Sequence, residues 1–193
     1  MLFELLKNLI SDGVIDPGRV EVRFFGSQDP WLFDEIRNAN LDDIVKVFGF
    51  VPRDQALQRQ RESQLLLLLL WNNPEEKGVY TGKVFEYLAA GRPIIALGGP
   101  EESVVKDLLN ETQAGHYILS LEDLEIVLSK YYSEYVRTGA IPRTKESAIM
   151  KYSHLEMAKK FADLLDKVQT GAPEHSTPAA ARSDSAQKSI PEQ

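Results

Sequence analysis

The chain has 193 residues, enough for one domain of ordinary size with a single hydrophobic core. Its net charge of −7 argues against a nucleic-acid partner, and the lack of cysteine excludes a disulfide framework, a thiolate zinc site and a cysteine nucleophile. The amino terminus is charged too early for a signal peptide, and no apolar run reaches the ~20 residues that span a bilayer. A cytoplasmic protein is expected, for which peripheral membrane contact is still open.

Residues 1–12 read as an amphipathic helix, with Leu2, Leu5, Leu6, Leu9 and Ile10 at helical spacing and Gly13 ending it. Asp16-Pro17-Gly18 is a turn; Val20 to Phe25 reads as the first strand and Pro30 to Ala39 as the helix after it. Ile44 to Phe48 is a second strand, Arg53 to Glu62 a helix, and Leu65 to Trp71 a third strand. The unbroken leucines Leu65 to Leu70 predict a central parallel strand buried on both faces. Gly82 to Ala90 is a helix, Ile94 to Leu97 a fourth strand, and Glu101 to Thr112 a helix capped near Pro100-Glu101. Tyr117 to Ser120 is a fifth strand, followed by a helix over Leu121 to Arg137 and one or two more over Thr144 to Val168.

Alternation of strand and helix with short connections predicts an α/β fold: a Rossmann-like, doubly wound parallel sheet with helices on both faces. Ligands of such sheets sit beyond the carboxyl ends of the strands, where Gly26-Ser27, Phe50-Val51, Trp71-Asn72 and Gly98-Gly99 all fall. The domain is expected over 1–168. Residues 169–193 are rich in Ala, Ser, Pro, Gln and Glu, and they are expected to be a disordered tail.

The most informative stretch runs from Tyr80 to Leu97. A helix that starts just after Thr81-Gly82 aims free N–H groups and a positive dipole end at its approach, which suits a phosphate. Lys83 adds a formal charge, and Glu86 follows one turn on, placed to accept hydrogen bonds from vicinal hydroxyls such as those of a ribose. Phosphate loop and sugar-binding carboxylate together describe a nucleotide site. No G-x-G-x-x-G follows the first strand, which disfavours a dinucleotide-dependent oxidoreductase. His116, His154 and His175 are scattered, and Asp42-Asp43 is not flanked as a metal-binding pair would be.

The run Lys83 to Ile95 has the form K-x-F-E-Y-L-A-x-G-x-P-hydrophobic, and it resembles the donor-binding segment of GT-B glycosyltransferases of the family 4 group. Val22 to Gly26, Val47 to Arg53 and Ser63 to Pro74 resemble further segments of that family's second, carboxyl-terminal domain, in the same order. The resemblance implies that Glu86 binds the nucleotide ribose and that Lys83 neutralises the diphosphate. It further implies that Tyr80, Thr81 and Gly82 offer backbone N–H groups, that Gly26 and Ser27 form the glycine loop, and that Phe50 and Val51 line the nucleobase pocket. Two departures stand out. Gly78 occupies the place of the first glutamate of the family's E-x7-E pattern, and Gln28 to Leu32 supply no basic residue to the glycine loop.

The substrate so implied is a nucleotide-diphosphate sugar, with no cofactor and no metal. The reaction is transfer of a hexose to a saccharide or lipid-linked acceptor with retention of configuration. The acceptor domain, which comes first in the family, is expected to be absent from this chain. It would then belong to a separate subunit or to a longer protein, and no catalytic residue is expected here. A non-enzymatic nucleotide-binding or interaction module is the alternative.

Overall fold

A computed structural model of the chain describes residues 1–169. Two units make up the chain, Met1–His154 and a second that begins at Leu155. The first contains α1 (Leu2–Ser11), β1 (Val22–Phe24), α2 (Pro30–Asn38), β2 (Val45–Val47), α3 (Arg53–Glu62), β3 (Leu66–Leu69) and α4 (Gly82–Ala90). After α4 come β4 (Ile94–Leu97), α5 (Val104–Thr112), β5 (Gly115–Ile118), α6 (Leu121–Thr138) and α7 (Glu146–Ile149). Helix α8 (His154–Gln169) lies in the second unit from Leu155 onward and sets Leu155, Phe161, Leu164, Leu165 and Val168, all exposed, along its length. The expected tail lies outside the described residues, apart from Gln169.

All strand pairs are parallel. β1 pairs with β2, Val22 opposite Val45, and a second ladder runs β3-β4-β5, with Leu66 opposite Ile94 and Ile94 opposite Gly115. With helices between successive strands, this is the Rossmann-like α/β class expected from the alternation.

The physical centre is β4, buried over all four residues. Its side chains alternate between two cores, as the two-residue period of a strand requires. Ile95 and Leu97 join Leu5, Leu9, Ile36 and Leu124 on one face. Ile94 and Ala96 join Leu68, Val84, Leu88 and Leu109 on the other.

The expectation for Leu65 to Leu70 needs correction. β3 is an edge strand of its ladder, and Leu69 is 57 % exposed. Leu66 and Leu68 are buried, while the opposite face of the strand is covered only in part. An apolar run therefore marked burial without marking the centre of the sheet, because no β1–β3 pairing closes that edge.

Two other boundaries move for local reasons. α5 begins at Val104 rather than near Glu101, because the Ser103 hydroxyl accepts from the Val105 N–H at 3.2 Å and caps the helix there. β5 begins at Gly115, two residues before the expected Tyr117, where the missing side chain lets the strand lie against the Ile94 backbone.

Candidate functional site

Helix α4 begins where β3 and the loop after it deliver the chain to the carboxyl side of the sheet. Thr81 is its N-cap residue in extended geometry, yet its side chain makes no capping bond, and its hydroxyl oxygen is buried without a partner. The first-turn N–H groups of Gly82 and Lys83 have no intrahelical acceptor, as at any helix start. Lys83 is exposed. At the other end Gly91 takes the left-handed conformation, φ 66°, and stops the helix.

Glu86 lies one turn into α4 with its side chain 37 % exposed. Gln60 Nε2 and Arg53 Nη2 of α3 each stand 3.5 Å from one of its two carboxylate oxygens. The sequence reading missed both partners. They are two turns apart on α3 and meet Glu86 only because α3 packs on α4, and the one sequence signal was their shared helix face.

The loop before α4 is tied to the loop before α5. Lys77 Nζ stands 3.1 Å from a Glu102 carboxylate oxygen, and the Lys77 carbonyl accepts from the Val104 N–H at 2.9 Å. Tyr80 leans on Phe85, with ring centroids 5.5 Å apart. The structure thus brings Tyr80, Thr81, Gly82, Lys83 and Glu86 to one helix start, with the Gly98-Gly99 turn on the neighbouring loop. That turn is compact: a side chain on Gly99 would run into the Tyr117 hydroxyl, which donates to the Pro100 carbonyl at 2.7 Å.

The glycine loop after β1 is engaged with itself. The Gly26 N–H donates to the Gly49 carbonyl at 2.8 Å, and the Ser27 hydroxyl donates to Asp29 at 2.5 Å. Phe50 is 86 % exposed, so it does not serve the core, and Val51 is half-buried. Trp71, at the end of β3, is 79 % exposed. Two hollows of about 420 and 410 Å³ share Arg143 and Thr144 in their walls, and neither is lined by Glu86 or Lys83. Neither hollow therefore coincides with the start of α4.

His116 is half-buried on β5, edge-on to Tyr131, and burial together with the charge of Lys130 pushes its pKa down. It plays no part at the strand ends. Among the described residues, no group of three or more His, Asp and Glu side chains could hold a metal, and no helix is long and apolar enough to cross a membrane.

No protein-family model and no curated protein matches the sequence. Solved structures do. AviGT4, a glycosyltransferase involved in avilamycin A biosynthesis, superposes with a TM-score of 0.55 at 16% identity, over 88% of this chain and 48% of its own. Alr3699/HepE from Anabaena, solved in complex with UDP-glucose, gives 0.54 at 14% identity, over 85% of this chain and 52% of its own. The chain spans about half the length of these structures, and the likeness establishes a shared fold.

Proposed function

We propose that this chain is the nucleotide-diphosphate-sugar-binding half of a glycosyltransferase. It binds the donor whose hexose is passed to a saccharide or lipid-linked acceptor. The observation that supports it most is the pairing of Glu86 with the uncapped start of α4, a half-exposed carboxylate one turn from free N–H groups and Lys83. A nucleotide would set its phosphates at Gly82 and Lys83 and its ribose hydroxyls at Glu86. Tyr80 and Thr81 would border the phosphates, with Phe50 and Val51 beside the base. Since the Gly26 N–H and the Ser27 hydroxyl already have partners, Gly26 and Ser27 would shape the floor more than bind the anion.

The fold shared with a glycosyltransferase and with a structure holding UDP-glucose supports the same reading. The exposed Phe50, Leu69 and Trp71 at the strand ends suit contact with an acceptor-binding half, supplied by the same polypeptide or by another subunit. No cofactor or metal enters the reading. Calorimetric titration with UDP, GDP, dTDP and ADP tests it. Binding that Glu86→Ala weakens is the expected result; no binding by the native chain at millimolar nucleotide would reject it.

A further inference from the structure

The guanidinium of Arg53 is 78 % exposed, and its contact with Glu86 at 3.5 Å lies at the outer limit of a hydrogen bond. An exposed pair of this kind contributes little, so little restrains Arg53 from turning to a ligand. In a nucleotide the base and the 5′-phosphate leave the ribose at opposite ends. With phosphates at the start of α4 and the ribose diol on Glu86, the base is carried past the carboxylate toward the start of α3. Arg53 is the first residue of α3, three positions beyond the exposed Phe50.

We propose that Arg53 is the specificity-determining residue of this site, donating to a carbonyl oxygen on the edge of the base and so selecting uracil, thymine or guanine over adenine. The proposal rests on the nucleotide reading above. A guanidinium has five donors and no acceptor. Thymine and uracil offer O4 and guanine offers O6, whereas adenine carries an amino donor at the corresponding edge and has no carbonyl oxygen. At this exposed position the guanidinium gains a bond from a keto oxygen that the amino group of adenine does not offer, and the preference is the value of that bond. The glycine loop after β1 provides no cation to compete for this role, since Gln28 to Leu32 contains none.

The test is titration of the full chain, native and as Arg53→Ala, Arg53→Gln and Glu86→Ala, with UDP, GDP, dTDP and ADP, with thermal unfolding as the check on folding. The native chain should bind at least one keto-base nucleotide about 10-fold tighter than ADP, and Arg53→Ala should erase that margin with ADP affinity within about twofold of native. Arg53→Gln, which keeps most of the length and loses the charge, should fall between. Glu86→Ala should weaken all four alike. A margin that survives in Arg53→Ala overturns the proposal and leaves the nucleotide reading standing. So does tighter binding of all four, which would make Arg53 a latch on Glu86. A native chain that binds none of them rejects the nucleotide reading itself, and this proposal with it.

Discussion

Arg143 closes over the end of the helix that bears Glu86, its Nη1 donating to the Ala90 carbonyl at 3.2 Å. The same segment donates from the Thr144 N–H to the Gly91 carbonyl at 3.2 Å and from the Ile141 N–H to Gln64 Oε1 at 2.8 Å. Arg92 reaches the Arg61 carbonyl at 3.0 Å. Two guanidinium groups therefore sit at the negative, carbonyl-bearing ends of α3 and α4, where cations are favoured. Arg143→Ala should lower stability by about 1 kcal/mol, seen as a lower urea midpoint with unchanged slope. An unmoved midpoint would make this strap incidental.

Leu68 and Leu69 are neighbours with opposite fates. Leu68 is wholly buried in the core of Val84, Leu88 and Leu109, whereas Leu69 is largely exposed. Leu68→Ala should cost roughly 2–5 kcal/mol, and Leu69→Ala less than about 0.5 kcal/mol. Denaturant melts of the two variants settle the matter, and equal losses would contradict the described burial.

Lys83 should act on phosphate alone. Lys83→Met should weaken UDP roughly 10-fold while leaving uridine unchanged, the loss of a charge-assisted bond. The deficit should shrink as salt is raised, because the lysine is exposed. Equal losses for uridine and UDP would assign Lys83 a structural part.

Gly91 and Gly99 differ in what they require. Gly91 has a φ of 66°, and a Cβ there would only make ordinary van der Waals contact with Arg143 Nη1 at 3.7 Å and Thr144 Oγ1 at 3.9 Å, so Gly91→Ala should cost about 1 kcal/mol through the backbone. Gly99→Ala meets the Tyr117 hydroxyl and should cost more, since the Tyr117–Pro100 bond must shift with it. Thermal unfolding should rank the two in that order.

The depressed pKa of His116 sets a pH dependence. Burial, and then Lys130, disfavour the charged ring in the folded state, so the unfolded chain binds the proton more readily. The stabilisation is complete above the ordinary value of 6.5 and is lost as the pH falls through the lower folded value. Melting followed across that window should show a slope that His116→Phe reduces. An unaltered slope would place the dependence elsewhere.

The order of strands and helices was legible because local signals agreed with the tertiary ones. Gly82–Ala90 and Ile94–Leu97 are found with the expected bounds, set by Thr81 at one end and Gly91-Arg92-Pro93 between them. The edge position of β3 was not legible, since six leucines report apolarity and not how many neighbours a strand has. In the candidate site, Glu86 and Lys83 lie within one motif, so their shared place at the start of α4 could be read directly. Arg53 and Gln60 could not: they stand 33 and 26 residues before Glu86, and only the packing of α3 on α4 joins them. The occupation of Gly26 by the Gly49 carbonyl likewise depends on the β1–β2 pairing, which a strand-end glycine does not reveal.

The divided allegiance of β4 bears on how residues 1–154 come apart. Ile94 and Ala96 serve one core, Ile95 and Leu97 the other, and a strand cannot withdraw from one face while staying on the second. Loosening either side removes half the covering of the strand that the other side needs. Heat or denaturant should therefore meet a single cooperative block, without a half-melted species in which one layer of helices has left and the other remains.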